Sequence, residues 1–264
     1  MYRFLLQPKW ILFHLLVIGA IVAMLNLGFW QLRRLDERKA FNRQVEATID
    51  QPAQPLDDVL PAGTEPRSAE WRSVTAVGEY VPDEQFTVVN RSQDGQAGDL
   101  TVTPLRLPDG RILLVERGFV ALDEISAPAP TGTVEVTGRL RPSQERRRGG
   151  LSDPGEGDLT EVQRIDLERL APQLPGPAVP AFIELTASRP AETGPYPVPV
   201  RPPELTEKNH LSYAMQWFLF AVAVAVGWVL AVRHSATSRR RPADRPGGVL
   251  DEGPVSPAPT GPSV

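Results

Sequence analysis

The most informative group for chemistry in this chain is one imidazole. In Lys208-Asn209-His210-Leu211-Ser212-Tyr213-Ala214-Met215-Gln216-Trp217-Phe218, His210 stands at the threshold of an uncharged run that continues to Val232. An ionisable side chain at the edge of a bilayer span is costly unless it has a partner or a task. On a helix, His210, Tyr213, Ala214 and Trp217 share a face at i, i+3, i+4 and i+7, which sets the imidazole above a small residue between two aromatic rings. There the ring can act as a ligand, or it can cap the span or hydrogen-bond the domain beside it. Residue types alone leave both readings open.

A second imidazole, His14, lies inside the other uncharged run, Trp10–Trp30. Antiparallel spans put Trp30 level with His210, which leaves His14 roughly 24 Å away along the helix axis at about 1.5 Å per residue. Two ligands on one atom do not reach across that gap, so His14 is expected to be a hydrogen-bonding residue facing the other span. Trp30, Gln31 and Arg34 are the better neighbours of His210 by height. Trp30 and Arg34 share a face, continued by Arg38. Arginine forks suit carboxylates, while an aromatic belt with snorkelling arginines accounts for the same residues. Arg117, beside Gly118, can pair within its domain or face the membrane-side site. Arg146-Arg147-Arg148, followed by two glycines, reads as a solvated loop.

These groups have to be positioned by two spans and a domain. Trp10–Trp30 would make a helix of roughly 31 Å, matching a hydrocarbon core of about 30 Å, with tryptophan at both edges as interfacial residues prefer. The run is too long for a cleavable signal and lacks an A-x-A site. With nine residues before it there is no room for a transit peptide, and a multi-pass protein of a bacterial plasma membrane is expected. The divisions are 1–9 cytoplasmic, 10–30 first transmembrane helix, 31–209 an extracytoplasmic β-rich domain, 210–232 second transmembrane helix, and 233–264 a disordered cytoplasmic tail. Lys and Arg near the spans are equal in number on the two sides. The orientation therefore rests on the exemption of long translocated domains from the charge rule and on the basic cluster of the tail.

Composition excludes several function classes. The chain has 264 residues and a net charge of −4, which gives a nucleic-acid partner no electrostatic support. With no cysteine, disulfides, zinc–thiolate sites, iron–sulfur clusters and thiol redox chemistry are excluded. Three histidines and three methionines are too few and too scattered for a copper carrier. There is no G-x-S-x-G, no H-E-x-x-H and no cysteine nucleophile, and an enzyme is not expected.

Between the spans, short segments rich in Val, Thr and aromatics predict strands at Arg72–Tyr80, Glu84–Asn90, Thr101–Leu107, Arg111–Gly118, Thr133–Leu140 and Ala181–Ala187. Pro108-Asp109-Gly110 marks a hairpin, and Asp166–Leu170 reads as a short helix. Such spacing fits a mostly antiparallel barrel or sandwich, followed by an extended proline-rich strap at Pro190–Pro203. Pairs of small residues four apart, Gly19 with Ala23, Ala221 with Ala225 and Ala223 with Gly227, would let helices approach closely.

Four stretches, in order, resemble the surfeit locus protein 1 family of cytochrome c oxidase assembly factors. Leu27-Gly28-Phe29-Trp30-Gln31-Leu32-Arg33-Arg34-Leu35 is similar to that family's exit from the first span. Thr103-Pro104-Leu105 with Asp109-Gly110 fits its hairpin, and Val115-Glu116-Arg117-Gly118-Phe119-Val120 resembles its "LVNRGWV" strand. Asn209-His210-Leu211-Ser212-Tyr213-Ala214, then Gln216-Trp217-Phe218, is similar to its "NNHLxYAxxWF" signature. Lys208 stands where the family has its first Asn, Glu116 where it has Asn before the arginine, and residues 145–180 depart from its pattern.

The resemblance implies a membrane factor that matures haem-copper oxidases, with haem a as the transiently bound cargo and His210 as the ligand of the haem iron. A neutral imidazole is a good axial ligand, and a bilayer edge suits a porphyrin with polar propionates. Tyr213, Trp217, Trp30, Gln31 and Arg34 would complete the pocket. The implied partners are oxidase subunit I, the haem a synthesis machinery and membrane lipids. The alternative is an interaction scaffold that stabilises an assembly intermediate without touching haem, and such a scaffold would not need an iron ligand.

Overall fold

A computed structural model gives the structure of residues 3–146 and 148–238, with side chains from residue 5. Arg147 of the expected arginine loop and residues 239–264 of the expected tail lie outside the described residues. The chain divides into two compact units. One comprises the chain up to Leu35 and from Lys208 onward, and the other Asp36–Glu207.

Two helices build the first unit. Helix α1 (Pro8–Ile49) opens on a proline, which is tolerated there because the first helical N–H has no intrahelical partner anyway. It does not end at Trp30 but continues through the charged segment after it into the second unit. Helix α4 (His210–Ser238) likewise runs past Val232. Both are long and apolar enough to cross a membrane, and side chains such as Leu12, Leu15, Leu219 and Val222 are exposed, as a lipid-facing surface requires.

The two helices share a seam with alternating steps of four and three. On α1 the covered positions that keep this spacing are Trp10, His14, Val17, Ile21, Met24, Gly28, Gln31 and Leu35. On α4 they are His210, Ala214, Trp217, Ala221, Val224, Trp228, Ala231 and Ser235, with Phe218 and Ala225 partly covered beside them. This is the spacing by which helices mesh side by side. Ala214 and Ala221 are almost fully buried, and a Cβ at Gly28 would stand 2.6 Å from the Phe218 ring, so small residues make room for side chains of the facing helix. Of the expected small-residue pairs, Ala221 lies on the seam and Ala225 is partly covered beside it. Gly19, Ala23, Ala223 and Gly227 are out of phase with it and exposed.

The second unit is mostly sheet. Its elements are β1 (Gln54–Pro55), α2 (Leu56–Val59), β2 (Ser73–Tyr80), β3 (Phe86–Gln93), β4 (Gln96–Arg106), β5 (Ile112–Ala121), β6 (Thr133–Pro142), β7 (Glu161–Val162), α3 (Leu167–Leu170) and β8 (Ala178–Arg189). The described residues form one eight-stranded sheet in the order β1-β2-β6-β8-β5-β4-β3-β7, with a further short pairing between β2 and β4. The hairpin neighbours are antiparallel as expected, but β5 and β8 run parallel. A parallel pair needs a long crossover, and the chain after β6 supplies one, passing through β7 and α3 before β8 begins.

That placement explains the continuous apolar reading of Ile112-Leu113-Leu114-Val115. Leu113 and Val115 join one buried cluster with Val74, Leu105, Val136 and Ile183, while Ile112 and Leu114 join another with Phe86, Val102, Leu170 and Phe182. Strands β5 and β8 are therefore covered on both faces, and a strand buried twice has no polar side to show.

Candidate functional site

At one end of the helix seam, His210 Nδ1 lies 2.9 Å from the amide oxygen Oε1 of Gln31. A carbonyl oxygen only accepts, so Nδ1 carries the proton and donates. In the neutral ring the lone pair is then on Nε2. The imidazole is half-buried in the first turn of α4, and among the described residues no aromatic ring stacks on it. The site thus presents an imidazole oriented by one hydrogen bond, with its second ring nitrogen unengaged among the described residues.

The register of this pair is set by packing next to it. Gly28 lies one turn before Gln31, and Phe218 two turns after His210. Phe218 sits in the space that the missing Cβ of Gly28 leaves and meets Phe29 edge-on at 5.4 Å between centroids. Just before α4, Lys208 takes a left-handed φ of 51°. A lysine accepts that region less readily than the asparagine of the family signature would.

At the other end of the seam the second histidine is wired oppositely. Trp228 Nε1 lies 2.9 Å from His14 Nδ1. An indole N–H can only donate, so His14 Nδ1 accepts and its neutral ring carries the proton on Nε2. His14 is the bundle-facing hydrogen-bonding residue expected from the sequence, and its lone pair is occupied. The partner, Trp228, went unseen in the sequence, although it stands at the seam position opposite His14 once the heptad phase is drawn.

The remaining site residues are placed less tightly. The Arg34 guanidinium carbon lies 5.9 Å from the centre of the Trp30 ring, so this pair shares a face as predicted, and Trp30 is exposed. Tyr213 is 52% exposed, and the Trp217 ring stands edge-on to Phe220 at 6.1 Å rather than against His210. Arg38, expected to continue the Trp30–Arg34 face, instead donates to the carbonyls of Glu204 and Thr206 and stacks on Phe41.

In the sheet unit, the motif around Arg117 serves the fold. Arg117 is fully buried, and its guanidinium grips the Glu192 carboxylate with two bonds of 2.9 and 2.5 Å while donating also to Ala127 O and Gln85 Oε1. Gly118 has φ 147°, and a Cβ there would lie 2.3 Å from Val198 O. Phe119 exchanges both backbone hydrogen bonds with Val198, each 2.8 Å. Three consecutive residues therefore dock the proline-rich strap that precedes α4 in the chain. Glu192 is the partner that strand-pattern reasoning missed.

The opposite face of β5 carries a buried charge cluster. Glu116 and Glu184 are cross-strand neighbours. Glu184 accepts from Arg139 at 3.0 Å and Arg141 at 2.5 Å. Burial, and secondarily the Glu184 charge, push the Glu116 carboxyl up to about 8 from its ordinary 4.5. At neutral pH it is mostly uncharged, so like an amide it adds little charge to the buried cluster.

Residues 18–222 match the SURF1 family, a stretch that takes in the Gln31–His210 end of the seam, the β5 motif and the start of α4. The chain belongs to the SURF1 family. It is 29% identical over 257 residues to uncharacterized SURF1-like proteins of Mycobacterium bovis and Mycobacterium tuberculosis, covering 92% of this chain and 93% of each of theirs. A SURF1-like protein of Rickettsia felis is 25% identical over 235 residues, covering 84% of this chain and 97% of its own. SURF1 proteins are known generally as oxidase assembly factors. Membership in SURF1 agrees with the resemblance read from the four motifs.

Proposed function

We propose that this SURF1-family chain is a membrane assembly factor for haem-copper cytochrome c oxidase that binds haem a and aids its insertion into the catalytic subunit. In this reading residues 31–209 lie outside the cytoplasm, and subunit I and the haem a synthesis machinery are the partners. The observation that carries it is the Nδ1–Gln31 hydrogen bond of His210, because it leaves the Nε2 lone pair free. Haem iron takes a neutral imidazole as an axial ligand, and the porphyrin itself fills the four equatorial positions. Among the described residues no group of three or more His, Cys, Asp or Glu could hold a bare metal ion. One imidazole is enough only for a metal that brings its other ligands with it.

The neighbouring residues fit the rest of such a cargo. Trp30 and Arg34 offer an exposed aromatic and a guanidinium on one face, suited to a porphyrin edge and a propionate. The exposed Tyr213 and half-buried Trp217 lie on the His210 face of α4. Their side chains would have to close on the cargo.

The test is an absorption spectrum of the full chain purified from cells that make haem a, alongside oxidase assembly in a deletion strain. The reading expects haem a bands in the protein and less assembled oxidase in the strain. Less oxidase with haem-free protein would favour the scaffold alternative, and normal oxidase would remove both. Reporter fusions settle the orientation: after Ser238 they should behave as cytoplasmic, and near Gly149 as exported.

A further inference from the structure

We infer that Gln31 is a positioning residue for the iron ligand: its amide oxygen holds His210 in the tautomer protonated on Nδ1 and so directs iron to Nε2. The inference rests on the proposed function and adds the residue on α1 that makes the ligand on α4 competent. An isolated neutral histidine side chain in water prefers its proton on Nε2, the form in which Nε2 has no lone pair to give. The 2.9 Å contact to Gln31 reverses that preference. A ligating histidine generally depends in this way on what its other nitrogen meets.

Three features make the contact a built one. Gln31 and His210 occupy seam positions and are half-buried, so neither side chain is free to wander. The fit of Phe218 to Gly28 fixes the register of the two helices one and two turns away. The acceptor is also an amide rather than a carboxylate. A carboxylate would place a charge at a span edge, which is costly, and would make the imidazole a stronger base. A neutral acceptor orients the ring without tightening the iron bond, which suits a protein that must give its cargo up. The seam's other histidine, His14, is the built-in contrast, because its partner Trp228 donates and fixes the opposite tautomer.

The test uses the full chain in detergent micelles with histidine labelled in nitrogen-15; three histidines make assignment tractable. Without haem, His210 in the wild type should be protonated on Nδ1, and Gln31→Leu should move it largely to Nε2–H. Titrated with haem a, Gln31→Leu should lose affinity by about 10- to 100-fold, the usual cost of removing such an outer partner. Gln31→Glu should restore binding, with a raised iron–histidine stretching frequency and a lowered reduction potential. Helical circular dichroism and thermal unfolding check each variant, and Gln31→Met serves if the leucine variant fails to insert. Wild-type affinity and an unchanged His210 tautomer in Gln31→Leu would overturn the role of Gln31 alone. A tautomer governed by Gln31 in a wild type that binds no haem a would overturn the haem reading, and with it the iron-directing role.

Discussion

Arg117 and His210 are each the polar residue of a short motif, and by type each can serve either the fold or a ligand. Their surroundings separate them. Each nitrogen of the Arg117 guanidinium has a partner, among Glu192, Ala127 O and Gln85, and the group has no exposed surface. Among the described residues His210 has one partner and one nitrogen left over, on a ring that is half-exposed. A saturated polar group holds structure together; an oriented group with a spare lone pair can take on a ligand. The strand motif therefore docks the strap, and the helix motif is the one left able to take a ligand.

The largest expected effect tests the saturated side. Arg117→Ala leaves Glu192 without its partner in a mostly buried setting, and should cost about 3–5 kcal/mol of domain stability, read by denaturant unfolding. His210→Ala should leave the same unfolding curve in place. Next comes Gly118→Ala, which combines a strained φ with a clash against Val198 O. It should cost about 1–3 kcal/mol and increase proteolysis within residues 190–207. Equal sensitivity of Arg117 and His210 variants in unfolding would erase the distinction between them.

The buried cluster behind Arg117 gives a pH-dependent arm. Glu116 has its folded-state pKa raised from 4.5 to about 8 by burial and then by Glu184. Between those values unfolding releases a proton, so the contribution of Glu116 is full below about pH 4.5 and is lost as pH rises through about 8. Glu116→Gln should flatten that part of the stability profile and make the domain more stable than wild type above pH 7. An unchanged slope would mean that Glu116 does not bind the proton. The smallest effect belongs to the second histidine: Trp228→Phe removes the donor to His14 and should weaken helix pairing by only about 0.6 kcal/mol, without change in haem content.

Much of this was legible in the sequence where a single period dominates. Six predicted strands fall on β2, β3, β4, β5, β6 and β8 because alternation and turn residues mark them locally. The hairpin at Asp109-Gly110 is also where the residues put it, with Gly110 at φ 86° and Asp109 accepting from the Arg111 N–H. The parallel β5–β8 pairing was not legible, since it depends on a crossover whose two-residue strand β7 has no periodicity to read. Helix α1 runs beyond the expected span to Ile49, because loss of hydrophobicity after Trp30 marks the edge of a span and not the end of a helix. At the site, height along the helix singled out Gln31 as a neighbour of His210, but only the heptad phase makes it the facing residue. The opposite wiring of the two histidines needed atomic positions, because it turns on whether the partner atom donates or accepts.

The proposed role of His210 as iron ligand turns on a free nitrogen that the neutral ring of His14 lacks. Its direct test is the haem a content of the purified full chain carrying His210→Ala or His14→Ala, each expressed in cells that make haem a and normalised to folded protein. His210→Ala should be stripped of haem, while His14→Ala should keep nearly the wild-type amount. Full haem a in His210→Ala together with its loss in His14→Ala would contradict it and place the site at the other end of the seam.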